Sequence, residues 1–174
     1  MLKTSIKLIN FIGFSGSGKT SSIVSLINYL TKITDFKIFV LKNIHQHTID
    51  TKGKDTYRFS EAGAEAVIAR SNKATTFFVN NALNLKDIIK WLEEAPIKPD
   101  IIITEGFREL KNDKILCVSS QEAIEEQFDN TIKVISGKIA SESRRSEKSY
   151  EGIPIINALE EPEEIMKILL PEFL

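Results

Sequence analysis

The sequence predicts an α/β fold in three layers, a mainly parallel sheet flanked by helices, and two patterns point to it. Short β-branched runs alternate with amphipathic helical stretches along most of the 174 residues. The first run, "SIKLINFIG" at 5–13, enters a glycine-rich loop that opens directly into a helical pattern. Strands separated by helices return to the sheet by crossovers and so pair in parallel. Ligands of such sheets collect at the carboxyl ends of the strands.

Taken in order, "SIKLINFIG" is short, apolar and closed by glycine, as a buried strand is. Ile23, Leu26, Ile27 and Leu30 then share one helical face, and that helix should stop near Thr34-Asp35. "KIFVL" at 37–41 reads as a second strand, and residues 43–56 as a long polar loop. A short helix is expected over 55–62, closed by Gly63. "AVIAR" and "TTFFV" flank "SNKA" and predict a β-hairpin near 66–79. Leu85, Ile88, Ile89 and Leu92 mark a helix capped by Asn84.

"DIIIT" at 100–104 is the most strand-like run and ends at "EGF"; "KILCV" at 114–118 follows as another strand. Ser119 and Glu122 stand at capping-box spacing before a short helix. "TIKVIS" and "IPIIN" read as further strands, and Pro162 opens a terminal helix carrying Ile165, Ile168 and Leu169. One domain spanning 1–174 is the simplest partition of a chain this long.

Composition excludes several classes. Lys plus Arg is 23 against 24 Asp plus Glu, a net charge of −1, so neither a general nucleic-acid binder nor an anionic-membrane clamp is expected. No apolar run reaches membrane-spanning length, and the N-terminal run lacks the features of a signal peptide. A single cysteine, Cys117, cannot form an intramolecular disulfide and fits a reducing compartment. The expectation is a soluble cytoplasmic protein.

Residues 13–20, G-F-S-G-S-G-K-T, match G-x-x-x-x-G-K-[ST] in full. Glycines let successive backbone N–H groups curl into an anion-binding nest, and the helix behind adds its own N–H groups and positive dipole end. Gly13, Ser15, Gly16, Ser17, Gly18, Lys19, Thr20 and Ser21 are therefore expected to hold the phosphates of a nucleoside triphosphate. Lys19 would reach the β- and γ-phosphates, and Thr20 would place its hydroxyl on Mg²⁺. The implied architecture is that of a P-loop NTPase.

Such proteins need a second carboxylate near the metal, normally at the end of a buried strand. Glu105 in "DIIITEGFREL" is the candidate, with Gly106 permitting close backbone approach, whereas Asp100 is a turn residue at the opposite sheet end. The 43–56 loop holds both histidines of the chain. His45 and His47 with Asp50 could ligate a transition metal; Lys52, Lys54 and Arg58 suit an anionic, phosphate-bearing molecule; a plain solvated loop is the third reading. No N-K-x-D string stands where it would read guanine: "NKAT" at 72–75 falls in the hairpin turn. "ISGK" at 135–138 follows a late strand, where base-contacting loops lie.

Together, "GFSGSGKT", His45 and Asp50 followed by "GKD" at 53–55, Tyr57-Arg58, "AGA" at 62–64 and "EGF" at 105–107 carry a resemblance over nearly the whole chain. It resembles the molybdopterin-guanine dinucleotide biosynthesis protein B (MobB) family, small P-loop proteins that act beside the guanylyltransferase completing the molybdenum cofactor. The resemblance implies GTP binding with Mg²⁺, slow GTP hydrolysis and a homodimer. It also implies an adapter role toward molybdopterin, or its guanine dinucleotide, and the molybdopterin guanylyltransferase. By position, Gly13 to Ser21 would hold phosphates, Lys19 and Glu105 would serve catalysis, Thr20 and Glu105 the metal, and the loop carrying His45, Asp50, Lys54 and Asp55 would face the site. Where the family's loop is usually richer in histidine and often has a proline before the glycine, this chain has Lys52.

Two rival readings use the same loop. A small-molecule kinase would need a basic lid, for which Arg144 and Arg145 in the charged 141–151 stretch are the candidates. A metal-delivery GTPase would use His45 and His47.

Overall fold

A computed structural model describes residues 6–44, 49–141 and 148–173. In chain order its elements are β1 (Lys7–Ile12), α1 (Lys19–Ile33), β2 (Ile38–Lys42), α2 (Asp55–Glu61), β3 (Ala66–Arg70), β4 (Thr75–Val79) and α3 (Leu85–Glu94). Then follow β5 (Ile101–Glu105), β6 (Lys114–Cys117), α4 (Gln121–Gln127), β7 (Ile132–Ser136), β8 (Ser149–Tyr150), β9 (Ile153–Pro154) and α5 (Pro162–Leu169). They group into two compact units: one runs to Asn43 and resumes at Ile97, and the other is Ile44–Pro96.

The first unit is a five-stranded sheet in the order β2-β5-β1-β6-β7, with every pairing parallel. It has the P-loop NTPase-like architecture that the sequence predicts. Side chains alternate across the pleat. Ile9 and Phe11 of β1, Ile101 and Ile103 of β5, and Ile115 and Cys117 of β6 pack with Ile23, Leu26 and Leu30 of α1 and Ile165 and Met166 of α5. Ile12, Leu116, Val118, Ile132 and Ile135 form a second cluster with Ile124 of α4. A sheet covered on both faces needs nearly unbroken apolar strands, and all five residues of β5 are buried.

The ends of α1 fall where expected: Gly18 caps its start at φ +101°, and Thr34 closes it. The cap of α4 sits one position later than expected. Ser120, not Ser119, occupies the N-cap, its Oγ accepting from Ala123 N at 3.3 Å. Val118 N still donates to Ser136 O at 3.0 Å, which prolongs the sheet pairing past β6 and delays the turn. "IPIIN" is likewise shorter than the strand expected, because only Ile153–Pro154 pairs, and it pairs with β8; Ile155 adds a single parallel bridge to Ile135.

The second unit is a hairpin with two helices. β3 and β4 pair antiparallel around a turn in which Ser71 N donates to Ala74 O at 2.8 Å and Ser71 Oγ accepts from Lys73 N and Ala74 N. The "NKAT" string is thus a turn tip leading into β4. Asn84 caps α3 by accepting from Asp87 N at 3.0 Å, and Gly63 follows α2 at φ +102°. Phe77 and Trp91 meet edge to face, ring centroids 5.7 Å apart. Val67 is the one buried hydrophobic among this unit's described residues, while Ile68, Phe77, Val79 and Trp91 are exposed.

Candidate functional site

The turn between β1 and α1 is shaped by what lies under it. Gly13 has φ +143°, and a Cβ there would lie 2.0 Å from Cys117 O at the end of β6. Gly16 and Gly18 also hold positive φ, at +74° and +101°. The 136–138 segment braces the loop from the other side. Lys138 N donates to Ser17 O at 3.1 Å, and a Cβ on Gly137 would lie 2.3 Å from that same oxygen. Cys117, packed beneath, is an inert thiol, because burial pushes its pKa up to about 12.

Lys19 arches back over the loop, donating to Gly13 O at 3.0 Å and Phe14 O at 2.8 Å. Burial lowers its pKa, an effect the Glu105 carboxylate opposes. Thr20 Oγ1 donates to Glu105, with 3.2 Å to Oε2 and 3.4 Å to Oε1. The parallel register of β2 on β5 sets Lys42 beside Glu105, and Lys42 Nζ pairs with Glu105 Oε1 at 3.2 Å. These groups surround a cavity of about 320 Å³, which Ser15, Gly16, Gly18, Ser21 and Lys138 also line. Three lysines face one carboxylate there, an electrostatic surplus suited to a polyanion.

Two observations test the fit of a metal-bound triphosphate. Ser17 Oγ, on a residue only 3% exposed, has no hydrogen-bond partner among the described residues. A buried hydroxyl left unpaired beneath a nest of backbone N–H groups leaves capacity for a ligand's oxygen. Thr20 and Glu105 offer hard oxygen donors within reach of one another, the donor type Mg²⁺ takes when it also keeps phosphate and water oxygens. The residues therefore fit the group.

Three residues of this site lay outside the motif. Lys42 ends an ordinary strand pattern, and only the β2–β5 adjacency brings it to Glu105. Lys138 was visible only as part of "ISGK". Asn10 is a fully buried amide within β1: it donates to Phe107 O at 2.8 Å and accepts from Thr104 Oγ1 at 2.9 Å. Together with the Gly106 N to Phe11 O bond of 2.9 Å, this ties the "EGF" turn to the loop strand and fixes Glu105, itself 8% exposed. A buried polar residue inside an apolar run was the available signal.

Arg108 sits over the Phe14 ring, 5.2 Å from its centroid, and its guanidinium donates to Gln127 Oε1. Asp100, at the other sheet end, accepts from Lys37 N at 2.7 Å, as a turn residue does. Asp50, Lys54 and Asp55 belong to the second unit. Asp50 Oδ1 accepts from Thr51 N at 2.7 Å and Thr56 Oγ1 at 3.2 Å, while its Oδ2 is buried without a partner among the described residues. Lys54 caps α2, and Asp55 opens it, 3.6 Å from Arg58. His45, His47, Arg144 and Arg145, on which the metal-delivery and kinase readings rest, lie outside the described residues. Among the described residues no group of three or more His, Cys, Asp or Glu could hold a metal ion by itself, and no helix is long and apolar enough to cross a membrane.

Comparison with known proteins agrees with this geometry. The sequence model of a family described as molybdopterin guanine dinucleotide synthesis protein B matches residues 8–137. A putative molybdopterin-guanine dinucleotide biosynthesis adapter protein of Methanocaldococcus jannaschii is 33% identical over 135 residues, covering 75% of this chain and 55% of the relative. The molybdopterin-guanine dinucleotide biosynthesis adapter protein of Haemophilus influenzae is 28% identical over 118 residues, 66% of this chain and 65% of that one. The chain thus spans between about half and two-thirds of the length of these curated relatives. A crystal structure of Bacillus subtilis MobB superposes with a TM-score of 0.76 at 20% identity, covering 94% of this chain and 98% of that one. A MobB homolog from Bacillus stearothermophilus gives a TM-score of 0.65 at 16% identity, over 91% and 92%.

Proposed function

The chain belongs to the molybdopterin guanine dinucleotide synthesis protein B family, and from that premise we propose that it is a GTP-binding adapter of molybdenum-cofactor biosynthesis with weak Mg²⁺-dependent GTPase activity. One observation carries the nucleotide part. Lys19 and Thr20 at the start of α1 and Glu105 at the end of β5 converge with Lys42 and Lys138 on the cavity above the glycine loop. The adapter part is supported by the names of the relatives, whose role comes to this chain as the proposal.

In this reading Lys19 releases the Gly13 and Phe14 carbonyls and turns to the β- and γ-phosphates, a short swing of a flexible side chain. Thr20 and Glu105 would hold the metal, and Lys42 would exchange Glu105 for phosphate oxygen. Bound Mg²⁺ supplies charge neutralisation at the phosphate oxygens. Slow hydrolysis follows from what surrounds Glu105. Arg108, the one described arginine of the first unit, is engaged with Phe14 and Gln127 and not aimed at the terminal phosphate. A protein that hydrolyses slowly holds its nucleotide long enough to serve as a signal to a partner. The site is therefore suited to presenting the guanylyltransferase with a nucleotide-loaded form.

Glu105→Gln keeps the size and the bond from Thr20 but removes the carboxylate charge. GTP affinity in that variant should stay within about threefold of the parent, whereas Mg²⁺-dependent phosphate release should fall on the order of tenfold or more. Unchanged hydrolysis would assign Glu105 a purely structural role.

A homodimer belongs to the same proposal. The second unit exposes Ile68, Phe77, Val79 and Trp91 while burying little of its own, which supports the use of this unit in association. Sedimentation should find two chains per particle at micromolar concentration, and Phe77→Glu should shift it toward one. A monomer in the unsubstituted protein contradicts this part.

A further inference from the structure

We infer that the nucleoside half of the triphosphate lies beyond the end of β7, in a cavity walled by Gly18, Lys138, Ser141, Asn157 and Leu159, and that Asn157 selects a 6-oxopurine there. The inference rests on the phosphate-grip reading proposed above and deepens it. Direction comes first. Thr20, Glu105 and Lys42 place the metal end on the β5–β2 side of β1. Gly137 and Lys138 flank the loop on the opposite side, where β6 and β7 lie. A triphosphate laid along the loop with its terminal phosphates between Lys19, Thr20 and Lys42 must carry its sugar and base toward Lys138.

A cavity of about 110 Å³ lies there, and it shares Gly18 and Ser21 with the phosphate cavity. A shallower depression of about 430 Å³ along α1 adjoins it, sharing Ser21 and Leu159. The ledge is firmly built. Lys138 N is bonded to Ser17 O at 3.1 Å, and Ser141 Oγ donates to Lys138 O at 2.8 Å. Leu159 presents an apolar surface, 56% exposed, at the cavity edge, and the methylenes of Lys138 offer a second. A planar base laid between them covers apolar surface that is otherwise wet.

The polar reading comes from Asn157. Its Oδ1 accepts from Leu159 N at 3.1 Å, and its backbone oxygen accepts from Glu161 N at 2.8 Å. The backbone donor fixes which end of the carboxamide is oxygen. Asn157 lines the cavity, and its NH₂ end, with no partner among the described residues, is free to serve as a donor to a bound base. It can bond the 6-oxo group of guanine or hypoxanthine, whereas adenine carries a donor amino group at that position. Selectivity therefore rests on one neutral hydrogen bond, without the carboxylate of an N-K-x-D string.

Calorimetry with GTP, ATP and inorganic tripolyphosphate, each with Mg²⁺, tests this on the full chain. GTP should bind on the order of tenfold tighter than tripolyphosphate, and roughly three- to tenfold tighter than ATP, the span of one net hydrogen bond. Asn157→Asp keeps the acceptor that caps Leu159 N and removes the donor, so the GTP-to-ATP ratio should fall to about one or below. Tripolyphosphate reports separately on the added charge. Leu159→Ser, at an exposed position that leaves the core alone, should weaken GTP and ATP alike, several-fold, and spare tripolyphosphate. Equal affinity of the parent for GTP and tripolyphosphate, or both variants binding GTP and ATP as the parent does, overturns the placement while leaving the phosphate grip standing. If the parent binds neither nucleotide nor tripolyphosphate, the grip itself fails and the placement with it.

Discussion

Lys19→Ala should remove triphosphate affinity by on the order of 100-fold, the worth of one or two charge-assisted hydrogen bonds to phosphate, while the protein stays folded. Both halves follow from where the ammonium sits. Lys19 donates to the Gly13 and Phe14 carbonyls in part-buried and exposed bonds, and these oxygens can turn to water once the side chain is gone. Burial already disfavours its charge, as the lowered pKa indicates, so truncation also relieves a desolvation cost. The change in stability should stay within about 1 kcal/mol. The sign of the pH effect follows as well. Phosphate stabilises the ammonium, so affinity is fullest below the free protein's Lys19 pKa and declines as pH rises through it. Because that pKa is lowered, the decline should begin earlier than for an ordinary lysine. Calorimetry gives the affinity and thermal unfolding the stability; parent-like binding in Lys19→Ala would remove the phosphate-grip assignment.

Gly13→Ala should cost the fold about 3 kcal/mol or more, as backbone strain and overpacking act together. The new Cβ would stand 2.0 Å from Cys117 O and 2.8 Å from Ser17 Oγ, at a φ of +143°. The first obstacle is main chain at the end of β6, an inner strand, and it cannot move without disturbing its neighbours β1 and β7. For a chain this long the loss corresponds to a fall in Tm on the order of 10 °C. Gly16→Ala is the matched control, because its Cβ meets nothing within 4 Å and only the φ of +74° resists. It should cost about 1 kcal/mol. Similar melting of the two variants would mean that the loop does not seat on β6 as described.

Much of the fold was legible because local signals and tertiary packing agree. The "DIIIT" run becomes the fully buried β5, Asn84 caps α3, and Ser71–Ala74 turns the hairpin. The glycine loop was legible for the same reason, since its backbone demands are written in residue types. What escaped was set by neighbours distant in sequence. Nothing near Lys42 announces a site residue until β2 is placed in register beside β5, since 63 positions separate it from Glu105. Ser119 matched the capping-box spacing as well as any residue, and a long-range bond from Val118 to Ser136 moved the cap to Ser120. Asn10 reads locally as a flaw in a strand, and its partners Thr104 and Phe107 lie more than 90 residues on.

The adapter claim is tested most directly by capture of the molybdopterin guanylyltransferase on this protein with and without GTP and Mg²⁺, with guanine dinucleotide synthesis measured in the same mixture. The account predicts that GTP raises both capture and synthesis several-fold, and that Lys19→Ala reduces both to the nucleotide-free level. Equal capture and equal synthesis whether or not GTP is present would contradict it.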